Sequence, residues 1–139
     1  MLENLKVVAS IQPQTITVNG GDTSGETVID TMGFGSVLFA IVAGNGTFVD
    51  ETYTFKVYES VSNDSTTGAV ITGASEAITA DNTVKTILVS GLGTGSRKRY
   101  MWVRCTTSGS NESLPSTAIA ILGPATGQLN PVDAPDDSV

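Results

Sequence analysis

Thr52-Tyr53-Thr54-Phe55-Lys56-Val57-Tyr58-Glu59 alternates, with Tyr53, Phe55 and Val57 on one side and Thr52, Thr54 and Lys56 on the other. A period of two over Thr52 to Val57 is the mark of a strand with one face in a core and one in water. The same period returns in 99–107, where Met101, Val103 and Cys105 share one face and Tyr100, Trp102 and Arg104 share the opposite one. If the first set is buried, Tyr100, Trp102 and Arg104 face outward, an aromatic and basic stripe that would need a partner.

Working outward from these two strands, further β-rich runs lie near 14–18, 27–30, Ser36–Ala43, 69–71, Val84–Ser90 and 116–122. No window repeats apolar residues at i, i+3, i+4, i+7 beyond two turns, so helices are not expected. The gaps between runs hold glycine or Asn/Asp, as in Asn19-Gly20-Gly21-Asp22 and Gly44-Asn45-Gly46, residues that reach positive φ at little cost. Seven or eight short strands at this spacing indicate an all-β, single-domain β-sandwich or jelly-roll-like fold. Ser36–Ala43 is nearly continuous in apolar residues and reads as a strand covered on both faces. Val84–Ser90 is ambiguous, because Lys85 shares a face with Ile87 and Val89.

The organisation expected is an N-terminal extended segment over 1–13, a sandwich over 14–123 and a Pro/Asp-rich arm over 124–139. The arm holds three prolines and three aspartates and too little apolar surface to offset its own ordering entropy. Pro124, Leu129 and Pro131 are its candidate contact residues.

Composition narrows the chemistry. The 139 residues carry 7 basic and 14 acidic side chains, a net charge of −7, with no histidine and one cysteine, Cys105. A Ser/His/Asp or Cys/His apparatus needs an imidazole, and a structural zinc site needs four Cys or His ligands. No intramolecular disulfide can form. The acidic balance argues against a nucleic-acid partner, and the longest apolar run, Val37 to Ala43, is far short of the ~20 residues that span a bilayer. Met1 to Lys6 has no basic region leading into an apolar run, so the reading expects no Sec signal and synthesis in the cytoplasm. No cofactor, metal, catalytic residue or membrane partner is expected, and the chain reads as a non-enzyme. A small glycan hydrolase would need a carboxylate pair from Asp50-Glu51, Asp81 or Asp133-Asp136-Asp137, with few aromatics to build a cleft.

Two passages could be functional. Gly91-Leu92-Gly93-Thr94-Gly95-Ser96-Arg97-Lys98 has glycines and cations but neither P-loop spacing nor a following helix, and reads as a strand-connecting loop. Arg97, Lys98, Arg99 and Arg104 place four of the seven cations within eight residues. They are either solvated edge charges or, with Trp102 as an anchor, a surface for an acidic protein partner. Arg97, Arg99, Trp102 and Arg104 are therefore the candidate protein-contact residues.

Three passages together resemble a known group. They are Asp30-Thr31-Met32-Gly33-Phe34-Gly35-Ser36-Val37-Leu38-Phe39, the strand Tyr53 to Ser60, and Lys98-Arg99-Tyr100-Met101-Trp102-Val103-Arg104, closed by Leu122-Gly123-Pro124. Over residues 10–124 the chain resembles small head structural proteins of tailed bacteriophages, similar to capsid decoration (cement) proteins. The resemblance implies a homotrimer on the capsid exterior of a virion, bound to the major capsid protein and bracing its neighbouring subunits. The alternatives are a carbohydrate-binding or host-adhesion module, with Tyr100 and Trp102 as its aromatic platform, and a head–tail connector or tail component.

Overall fold

The computed structural model describes residues 5–17, 20–23 and 26–124. Within them the chain is all-β, with β1 (Lys6–Ile16), β2 (Ile29–Asp30), β3 (Ser36–Ala43), β4 (Thr52–Ser60), β5 (Ala69–Ile78), β6 (Val84–Ser90), β7 (Tyr100–Ser108) and β8 (Leu114–Gly123). Two four-stranded antiparallel sheets stack as a β-sandwich. Sheet I runs β1-β8-β3-β6 and sheet II runs β2-β7-β4-β5.

The alternation read from β4 and β7 sets the core. Tyr53, Phe55, Val57, Met101, Val103 and Cys105 are all fully buried, and the register places Phe55 opposite Cys105 and Val57 opposite Val103. Sheet I supplies the opposing layer, with Val37, Phe39 and Ile41 from β3 and Ala118, Ala120 and Leu122 from β8, each at 0% exposure. The ambiguity of β6 resolves with Ile87 and Val89 inward. Lys85, on the same side but near the strand's start, reaches over the sandwich edge to Glu76 of β5 (3.9 Å).

Three expectations change. β3 is central by pairing, between β8 and β6, but it is not covered on both faces: Leu38 and Ala40 are half-buried and Val42 is 40% exposed. Its outer side carries apolar residues with no described segment above them. β1 begins at Lys6 rather than near 14, so Lys6, Val7, Val8, Ala9 and Ile11 of the expected N-terminal segment pair with β8. Register shifts between Ala9 and Ile11 and between Ile11 and Gln14 break the period of two that would reveal such a strand, and Pro13 sits in the second irregular stretch of this edge strand. β5 runs on to Ile78 rather than ending at Ile71. A register shift lies between Lys56 and Tyr58 of its partner, and Gly73 within the strand has φ +85°, so the run reads from sequence as a strand followed by a loop.

Candidate interaction surfaces

The outer face of sheet II is where the aromatic and basic stripe was expected, and there the structure corrects the reading of Trp102. Its side chain is on the outer side of β7 but is fully buried. The indole stacks on Tyr58 of β4 with centroids 5.7 Å apart and planes 12° from parallel. Gly68, in the turn before β5, lies against its far edge: a Cβ there would stand 2.6 Å from Cζ2 of Trp102 and 2.9 Å from the Glu59 carbonyl. The β4–β5 connection therefore roofs this part of sheet II, and a glycine is what lets it approach. Among the described residues the Trp102 Nε1–H has no hydrogen-bond partner.

Arg104 lies beside the tryptophan. Its guanidinium donates to Glu26 Oε1 (3.1 Å) and to the Ser65 carbonyl (2.9 Å) and stands 4.8 Å from the Tyr58 ring centroid. Burial opposes the Arg104 charge, but the hydrogen bond and charge of Glu26 outweigh it and raise its pKa. Arg99 forms a two-pronged pair with Asp30 at 2.7 Å for each bond. Its hydrogen bond holds the Asp30 carboxyl down at about 2. Arg97 approaches Glu59 at 3.7 Å, and the Lys98 backbone N–H donates to the same carboxylate (2.9 Å). The three arginines predicted to seek an acidic partner each face an acid of their own chain.

The β6–β7 connection is the expected loop. Gly91, Gly93 and Gly95 hold φ values of +77°, +78° and +89°, while Leu92 plugs the end of the core at 5% exposure. Between the free edges of β5 and β6 an open groove of about 400 Å³ is floored by Ile71, Ala74, Ile87 and Val89, and Arg97 lines it too. The carboxylates singled out from sequence serve the loops. Buried Glu51 accepts from the backbone N–H groups of Val49, Asp50 and Asn111, and Asp81 accepts from Gly46 N (2.7 Å). Asp133, Asp136 and Asp137, like Leu129 and Pro131, lie outside the described residues, and Pro124 is half-buried at the exit of β8. Among the described residues no group of three or more His, Cys, Asp or Glu is arranged to hold a metal ion, and no helix is long and apolar enough to cross a membrane.

The surface that sequence reasoning missed is the outer face of sheet I. One row across the four strands reads Val7, Ile121, Leu38 and Leu88; the next reads Ala9, Ile119, Ala40 and Thr86; a third reads Thr117, Val42 and Val84. Val7 is 65% exposed and Val84 and Leu88 are 61% exposed. None of these positions is charged. The signal was present in the apolar outward positions of β3 and β6, but reading β3 as doubly covered hid it.

No family model matches the chain, and no curated protein matches it. Among solved structures, the PBSX exported protein XepA matches at a TM-score of 0.52 with 13% identity over 99% of this chain. The likeness is one of fold. The chain spans 42% of the length of that protein. A structure described as Bacillus endospore appendages, a family of disulfide-linked pili, follows at 0.48 with 10% identity over 87% of this chain and 90% of its own. The Tobacco streak virus coat protein follows at 0.35 with 18% identity over 99% and 94%.

Proposed function

We propose that this chain is a non-enzymatic structural protein of a tailed-phage virion, a decoration or cement protein that binds the outside of the head and braces neighbouring major capsid subunits. The observation that carries the reading is the broad, charge-free apolar face of sheet I, which no described part of the chain covers. A soluble β-sandwich with such a face is built to bury it against protein. The sequence resemblance over 10–124 supplies the setting: a homotrimer on the shell exterior, with the major capsid protein as partner and the 124–139 arm adding contacts. Weak contacts repeated at many equivalent lattice positions give firm attachment through avidity, so no single tight site is required.

The adhesion alternative asked for an exposed platform from Tyr100 and Trp102. Trp102 lies under Gly68, stacked on Tyr58, and presents no ring face to a sugar. The test is co-sedimentation of purified protein with phage heads that lack it. Saturable binding that weakens on deletion of 125–139, with the truncated chain still folded, is the expected result. Heads that sediment without the protein under all conditions would refute the reading.

A further inference from the structure

We propose that the free edge of β6, with the groove beside it, is the seat of this chain's own C-terminal arm, which adds to sheet I as a fifth strand antiparallel to β6. Residues 125–139 lie outside the described residues, and the seat is independent of any virion.

β6 is an edge strand, and no described strand pairs with its outer side. The Ala43 N–H donates to the Thr83 carbonyl (2.9 Å), and the register runs on from that pair to Phe39 opposite Ile87. Odd-numbered residues of β6 therefore turn their N–H and C=O toward β3, while Thr86, Leu88 and Ser90 turn theirs away from it. An edge with such groups unpaired is a template for another strand. The groove beside it is floored by Ile71, Ala74, Ile87 and Val89, so an added strand finds hydrogen bonds on one side and apolar cover for alternate side chains beneath.

Three constraints fix the register. Pro131 and Pro135 have no N–H, so they must fall opposite odd residues of β6, where an added strand's N–H points away from its partner. Even-numbered arm residues then meet even-numbered residues of β6. Reach comes next. Gly123 is level with Ser36 and Ser36 with Ser90, so a strand outside β6 stands three strand spacings from Gly123, about 14 Å. Residue 126 is three residues on, about 10 Å at full extension, and falls short of a place opposite Ser90; Gln128, five residues on, has about 17 Å. Polarity sets the other limit. Asn130 opposite Ser90 would bring Asp133 onto Ile87, a carboxylate against an apolar floor, and the next registers bring an aspartate onto Val89 or Ile87 as well.

Gln128 opposite Ser90 meets all three. Leu129 then lies beside Val89 and Pro131 beside Ile87, both on the groove side. Asp133 lies beside Lys85, whose side chain is 44% exposed and is otherwise met only by Glu76 at 3.9 Å. Val132, on the opposite side, extends the outer face of sheet I. An arm tethered within reach arrives at a high effective concentration that a neighbour's arm does not share.

Residue-resolved hydrogen exchange on the full chain tests this seat. The Thr86 and Leu88 amides are expected to be protected in the parent. Leu129→Asp places a charge in the groove, and Asn130→Pro removes the N–H facing Leu88; each should speed exchange at Thr86 and Leu88 at least ~10-fold. Asn130→Ala should not. The Phe39 amide, inside the sheet, should stay protected throughout and show that the sandwich is folded. Thr86 and Leu88 amides that exchange freely in the parent, or stay protected in both variants, overturn the proposal. Thr86→Cys with Val132→Cys sets two thiols opposite each other, Cα atoms about 5.5 Å apart, within disulfide range. Mild oxidation should link them within one chain. Links only between chains would overturn own-chain seating, and no link would overturn the register.

Discussion

Gly68→Ala and Trp102→Ala form a pair whose energetics should be strongly coupled. A Cβ at Gly68 falls within 2.6 Å of Cζ2 of Trp102 and 2.9 Å of the Glu59 carbonyl. Since the carbonyl belongs to β4 and is fixed by the sheet, the indole must give way or the turn must lift. Forced overpacking of this kind costs about 1–3 kcal/mol, and lifting the turn also stretches the Arg104 bond to the Ser65 carbonyl. Trp102→Ala alone removes a fully buried ring and its stack on Tyr58, a loss of about 3–5 kcal/mol. In the double variant the methyl group enters space the indole has vacated, so the part of the Gly68→Ala cost that comes from the ring disappears, while the close approach to the Glu59 carbonyl remains. The expected coupling is about 1–2 kcal/mol in the direction of rescue. Urea denaturation followed by far-ultraviolet circular dichroism serves all four proteins, since it does not depend on the tryptophan. Additive losses, or a Gly68→Ala variant as stable as the parent, would refute the account of a roofed, tightly packed Trp102.

The remaining predictions concern the charges and the thiol. Arg104→Met leaves the Glu26 side chain, 1% exposed, without its cation, and should cost about 3–5 kcal/mol; Arg104→Met with Glu26→Gln should recover much of it in thermal melts. The Asp30 pKa is depressed from 3.8 to about 2 by Arg99, so the pair stabilises the fold above the unfolded value and that contribution is lost as pH falls through the folded one. Both partners are more than two-fifths exposed, which limits the effect to about 0.2–1 kcal/mol. The gap in melting temperature between the parent and Asp30→Asn should therefore be full near neutral pH and close between about pH 4 and 2. Burial pushes the Cys105 thiol up to about 12, so it should resist alkylation in the native protein at neutral pH and react on unfolding. Rapid labelling of folded protein would contradict its placement.

Much of the sandwich is legible because β4 and β7 alternate without interruption, and their inward residues form the core as read. The less legible parts share a cause. In β1 and β5 irregular register removes the period of two, so Lys6 to Ile11 and Ser75 to Ile78 look like loop although most of these residues pair. Alternation also reports only which side of a sheet a residue occupies, not what lies over that side. Trp102 is on the outer side of β7 as read, yet covered, because a distant turn containing Gly68 folds over it; Leu38 and Val42 are on the outer side of β3, yet uncovered. Both cases depend on long-range placement of connections that local pattern does not encode. The ion pairs are similar: Arg99 with Asp30 and Arg104 with Glu26 join residues 69 and 78 positions apart, so the cluster looked unpaired in sequence.

The most direct test of the structural role is cryo-electron microscopy of phage particles with and without this gene. The account predicts density of sandwich size on the outside of the shell, repeated at equivalent lattice positions and absent from the deletion particles. Density confined to the neck or tail, or particles that contain none of the protein, would contradict it.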